Sequence, residues 1–140
     1  MSELLLRDGF TVHAVDASAT MIASFRDRFP DVQAECNAVE ESDFFGRSFD
    51  GVIAWGLIFL LSPATQRLLI GKIARALNTG GKFIFTSPKQ ECTWPDAITG
   101  LRSISLGYET YREALMAEGL VLVGEDLDEG QNHYYSASKI

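Results

Sequence analysis

A carboxylate, an amide and an indole, each placed at the end of a β-prone run, carry the most legible chemistry in this sequence. Asp16 closes the run TVHAV at residues 11–15 and precedes Ser18, a favoured helix N-cap. In open α/β sheets ligands bind beyond the carboxyl ends of the strands, and an acidic residue there accepts both hydroxyls of a ribose. Two hydroxyl donors need an acceptor-only group, which an ionised carboxylate is. The alternative for Asp16 is a helix-entry acid favoured by the helix dipole. Asn37 follows a second run at residues 32–36 and offers an amide oxygen, or else simply forms a turn. Trp55 ends FDGVIAW, residues 49–55, where an indole either faces a cation or fills a core.

Other chemistries are poorly served. Cys36 and Cys92 are far apart, with no CxxC or Cys/His cluster, so no structural metal site is expected. Cys92 has no sequence-adjacent histidine and does not read as a nucleophile. GxSxG, HExxH and P-loop patterns do not occur. Asp43, Asp50, Asp126, Asp128 and Glu129 read as solvated surface, with residues 126–129 a charged turn. The formal net charge of −7 disfavours nucleic acid and anionic membranes as partners. The longest apolar run, residues 51–61, is shorter than the roughly 18–20 residues a span needs. Two lone cysteines and a charged N-terminal stretch without signal character predict a cytoplasmic protein.

The elements that must position these residues follow from periodicity. The 140 residues, 46% apolar and 22% charged, predict one domain with one core. Residues 1–8 read as the end of a helix stopped by Gly9. Met21, Ile22, Phe25 and Phe29 recur at helical spacing up to Pro30. Residues 40–45 form at most one helical turn. Residues 49–55 are apolar nearly throughout, as for a strand covered on both faces. Ser62-Pro63 opens a helix with Leu69, Ile70, Ile73, Ala76 and Leu77 buried, ended by residues 78–81. Residues 82–87 are a fourth strand, and residues 88–106 read as a long irregular connection. A helix over residues 108–118, stopped by Gly119, precedes closing strands at 120–125 and 133–138. This order predicts an α/β open sheet with a hairpin at one end.

The same order resembles the class I S-adenosylmethionine-dependent methyltransferases. GFTVHAVDAS, residues 9–18, looks like that family's second strand and its closing acid. FDGVIAWGLIFLL, residues 49–61, looks like its fourth strand and the turn after it. IARALNTGGKFIFTSP, residues 73–88, looks like the next helix, Gly-Gly turn and fifth strand. EGLVLVGEDLDEGQNHYYSASK, residues 118–139, fits the closing β-hairpin. The resemblance implies a Rossmann-like, mostly parallel sheet with a C-terminal antiparallel hairpin. Residues 1–8 match only the end of the family's first helix, so residues 1–140 would form a single truncated domain without the first strand and its GxGxG loop. That unit is roughly 30 residues long. The strands at 11–15 and 49–55 would then pair directly, or a second chain would complete the sheet.

The resemblance also assigns roles. Asp16 would hold the ribose, with Ala17 and Met21 lining the adenine side. Core packing is the alternative for Met21. Asn37, Ala38 and Val39 occupy the position that reads the adenine. Trp55, Gly56 and Leu57 border the methionine part, with Trp55 a wall beside the sulfonium. His133, on the closing strand beside Tyr134 and Tyr135, is the candidate base, against a structural histidine. His13 is a weaker candidate. Trp94, Asp96 and Tyr108 would shape the acceptor pocket. The expected activity is methyl transfer from S-adenosylmethionine to a small-molecule acceptor, leaving S-adenosylhomocysteine, by the chain alone or as a homodimer or with a complementing subunit. The competing expectations are a non-catalytic binding or scaffold partner and a fragment of a longer enzyme.

Overall fold

The structure, a computed structural model, describes residues 2–95, 100 and 102–140. It has α/β architecture and forms two compact units, Met1–Gly46 and Arg47–Ile140.

In the first unit α1 (Ser2–Arg7) ends where Gly9 turns at φ +88 and donates to the Leu6 carbonyl at 3.1 Å. β1 (His13–Asp16) pairs in parallel with β2 (Gln33–Cys36), placing Asp16 opposite Cys36. Between them runs α2 (Ala19–Arg28), capped by Ser18, whose hydroxyl accepts from the Met21 N–H at 3.2 Å. Only Ile22 of α2 is buried, and Met21 is 60% exposed. Core packing is thereby excluded for Met21. Residues 44–46 form a 3₁₀ turn with Phe44 and Phe45 at φ 51 and 61.

In the second unit β3 (Phe49–Ala54), β4 (Leu77–Thr86), β7 (Leu120–Leu127) and β8 (His133–Lys139) form one sheet in the order β3-β4-β8-β7. β3 runs parallel to β4, while β8 is antiparallel to both β4 and β7. The sheet is therefore mixed, with the expected antiparallel hairpin at one edge. The predicted direct pairing of the strands at 11–15 and 49–55 is not among the pairings of the described residues, since β1 and β3 belong to different sheets. As the other edge strand, β3 is far less covered than its apolar sequence suggests: only Ala54 is buried, and Ile53 is 37% exposed.

The predicted turn at 78–81 survives as a bulge inside β4, where Phe49 faces Leu77 but Gly51 faces Lys82. A Cβ on Gly81 would lie 2.8 Å from the Asn78 carbonyl oxygen, so the bulge requires glycine there. α3 (Pro63–Ala76) starts as expected, with the Ser62 hydroxyl accepting from the Thr65 N–H at 3.2 Å. Its end is sealed by Lys139, whose ammonium donates to the carbonyls of Ala74 and Leu77 at 2.6 and 2.7 Å.

The irregular connection predicted at 88–106 is instead a second hairpin, β5 (Glu91–Pro95) paired antiparallel with β6 (Arg102–Leu106). Its buried face carries Ser103 and Ser105 rather than aliphatic residues, so hydrophobic alternation does not reveal it. α4 (Tyr108–Ala117) packs on β7 and α3. No helix among the described residues is long and apolar enough to cross a membrane.

The core of this unit is aromatic. Phe85 stacks on Phe83 and on its cross-strand partner Tyr135, each at 4.9 Å, and meets the Tyr111 ring edge-on at 5.3 Å. All four are fully buried. Phe85→Ala removes this centre and is expected to lower unfolding free energy by about 3–5 kcal/mol in urea titrations.

Candidate functional site

Two groups of candidate residues take shape, one in each unit. In the first unit parallel pairing brings the ends of β1 and β2 side by side, and the Asn37 N–H donates to the Asp16 carbonyl at 3.0 Å. One Asp16 carboxylate oxygen accepts from the Ser18 N–H at 2.8 Å, which fixes the side chain at the entrance to α2. Among the described residues the other oxygen has no protein partner, and Asp16 is exposed. Ala17 and Met21 are exposed beside it in sequence, while Asn37, Ala38 and Val39 are half-buried.

In the second unit Gly56 turns the chain after β3 at φ +68, and its N–H donates to the Thr86 hydroxyl at 2.6 Å. Trp55 is 38% exposed and lies against Tyr134, centroids 5.5 Å apart. It is therefore not a core aromatic, and much of its surface is available to a ligand. Leu57 is half-buried.

Beyond the carboxyl end of β4 lies a cavity of about 720 Å³. Phe59 and Trp94 form an aromatic wall, with centroids 5.4 Å apart. Lys89, Glu125, Asp126 and His133 supply most of its charge. Of the residues predicted to shape a pocket, Trp94 does so. Tyr108 lies under the Lys89 ammonium, 5.6 Å from the ring centroid, and Asp96 lies outside the described residues. Asp126 is exposed, as the solvated-surface reading has it, but it lies in β7 rather than in a turn, and it lines the cavity.

His133 is held from both sides. Its Nδ1 lies 3.0 Å from the Ser87 carbonyl and its Nε2 lies 3.2 Å from the Glu125 carboxylate. Both partners are acceptors, so the ring satisfies both only with both nitrogens protonated, and it serves as a base only after releasing Glu125. Glu125 also receives the Lys89 ammonium at 3.0 Å. The Lys89 hydrogen bond, with its charge and that of His133, holds the Glu125 carboxyl below its ordinary value.

Under this wall runs a buried polar chain that hydrophobic patterning does not disclose. Ser87 donates to the Tyr111 hydroxyl at 2.9 Å, which donates to Gln66 Oε1 at 2.7 Å. The Gln66 amide then donates to the carbonyls of Leu61 and Ile104 at 3.0 and 2.9 Å. The chain ties α3 and α4 to the end of β4 and to the β5–β6 hairpin. Burial raises the Tyr111 pKa and keeps it a neutral donor.

The family model described as "Methyltransferase domain" matches residues 1–81 of the 140. The chain belongs to the methyltransferase-domain family. A search of curated proteins returns no match. Solved structures share the fold of this methyltransferase domain. The 1,6-didemethyltoxoflavin-N1-methyltransferase of Burkholderia thailandensis superposes with a TM-score of 0.78 at 21% identity, over 99% of this chain and 65% of that one. This domain thus spans less than two-thirds of that enzyme's length. A Clostridium acetobutylicum S-adenosylmethionine-dependent methyltransferase gives 0.79 at 12% identity, over 99% and 78% of the two chains. A glycopeptide N-methyltransferase complexed with S-adenosylmethionine gives 0.73 at 18%, over 100% and 77%.

Two outcomes test this geometry in the methyltransferase domain. Tyr111→Phe leaves Ser87 and Gln66 short of a partner and is expected to lower stability by about 1–3 kcal/mol in urea titrations. A lowered folded pKa at Glu125 contributes stability that is present above the ordinary value of 4.5 and lost as pH falls through the lower folded value. Glu125→Gln should therefore flatten the acid limb of the stability–pH curve.

Proposed function

We propose that this chain is an S-adenosylmethionine-dependent methyltransferase acting on a small molecule. The observation that carries this reading is the exposed Asp16 carboxylate at the carboxyl end of a parallel strand, in a chain of the methyltransferase-domain family. One Asp16 oxygen is spent on the Ser18 N–H, and the other retains lone pairs for ribose hydroxyls. Asn37, with Ala38 and Val39, takes the adenine edge, and Ala17 and Met21 line its side. The exposure of Met21 suits a ligand-facing role. In the second unit Trp55, Gly56 and Leu57 border the methionine part, and the partly exposed indole of Trp55 suits a sulfonium. Bound S-adenosylmethionine and S-adenosylhomocysteine in the similar solved structures support the choice of cofactor.

When bound, S-adenosylmethionine supplies a methyl group on a positively charged sulfur. The chain's own task is to bind and align, which for an in-line displacement provides much of the rate. His133, engaged at both nitrogens, holds the pocket wall and becomes a proton acceptor only when Glu125 lets go. A cavity of about 720 Å³ suits a small-molecule acceptor.

Calorimetric titration of the purified chain with S-adenosylmethionine and S-adenosylhomocysteine tests the proposal. Saturable binding is expected, weakened about tenfold or more in Asp16→Ala by loss of charge-assisted hydrogen bonds. No heat at millimolar ligand, or equal affinity in the variant, would overturn it.

A further inference from the structure

The cavity beyond β4 has a chemistry of its own. Its apolar side is the tilted pair Phe59 and Trp94, with centroids 5.4 Å apart and planes at 44°. Aromatic linings of this kind favour flat π-systems and cations. On the polar side three donors are already committed. The Lys89 ammonium is bound to Glu125, His133 to Ser87 and Glu125, and the Asn132 amide to Asp128. Acceptors are in surplus. Asp126 uses one carboxylate oxygen on the Leu127 N–H at 2.8 Å and keeps the other. The lining acids Glu125 and Asp126 outnumber the single lysine of the lining, Lys89, which Glu125 already engages. Asp128 and Glu129 in the adjoining turn deepen the negative field.

A ligand completing this site must bring donors or positive charge at one end and a flat apolar body at the other. We infer that the cavity takes an arylalkylamine, its ring against Phe59 and Trp94 and its ammonium toward Glu125 and Asp126. That this amine is the methyl acceptor rests on the function proposed above; its binding rests on the cavity alone. A carboxylate in place of the amine meets surplus like charge and no free cation in the lining, so the site discriminates by the sign of the side arm.

Three indoles of matched size separate the contributions: tryptamine, neutral 3-ethylindole and anionic indole-3-propanoate. Affinities are measured by calorimetry on the full chain at neutral pH, with and without S-adenosylmethionine. Tryptamine should bind about tenfold or more tighter than the propanoate, with 3-ethylindole between them. Trp94→Ala should weaken tryptamine and 3-ethylindole alike. Asp126→Asn should shrink only the advantage of the amine. Asp126 is exposed and the asparagine keeps the oxygen that meets the Leu127 N–H, so the fold is preserved. The three-ligand comparison on the unsubstituted chain decides the matter even without the variants. Equal or stronger binding of the propanoate, or no saturable binding of any indole at millimolar concentration, would overturn the inference. Tryptamine binding without S-adenosylmethionine binding would uphold the cavity's chemistry and remove the methyltransferase reading. The converse result would do the opposite.

Discussion

The carboxyl end of β4 is the point on which the second unit depends. Three consecutive residues there face three directions. Thr86 accepts the Gly56 N–H and so fixes the turn after β3. Ser87 donates from its hydroxyl to Tyr111 and accepts His133 at its carbonyl. The Pro88 carbonyl receives the hydroxyls of Ser105 and Tyr135 at 2.8 and 3.1 Å. The strand reaches this position because Phe83 and Phe85 are locked in the aromatic core one turn of the pleat earlier. A buried polar chain is stable only when each member is satisfied, and here hydroxyls, amide and carbonyls complete one another. The result is a rigid frame under a cavity whose upper rim is solvated.

The frame explains a division of labour. Apolar burial and ring stacking hold the sheet, and directed hydrogen bonds place the wall. Charge stays at the rim. Lys89, Glu125 and His133 form a partly solvated set, so they tune the cavity's polarity more than its stability. In the first unit a simpler device does comparable work: the Ser18 N–H anchors Asp16 while the Ser18 hydroxyl caps α2, so one residue both starts the helix and orients the carboxylate.

Much of this was legible in the residue order. Helices with a cap and an apolar stripe, such as Ser62 before Leu69, Ile70 and Ile73, announce themselves through local chemistry. Strands β1, β2, β4, β7 and β8 followed from β-prone runs bounded by turn residues. Four features did not. The β5–β6 hairpin buries serines, so its alternation carries no hydrophobic signal. The exposure of β3 depends on its place at a sheet edge, which composition does not encode. Gln66 and Tyr111 read as an ordinary helix polar residue and an ordinary aromatic, because their partners lie far off in sequence, Ile104 38 positions from Gln66 and Ser87 24 positions from Tyr111. The left-handed Phe44 and Phe45 also had no cue, since aromatic side chains rarely adopt that backbone region.

The central claim is that the residues at the strand ends bind S-adenosylmethionine and its product. Backbone amide NMR of the isotope-labelled chain titrated with S-adenosylhomocysteine tests it residue by residue. Saturable shifts at Asp16, Ala17, Asn37, Ala38 and Val39, and at Trp55 to Leu57, are the predicted result. Unchanged amides at those positions under millimolar ligand, or shifts confined to other parts of the chain, would contradict it.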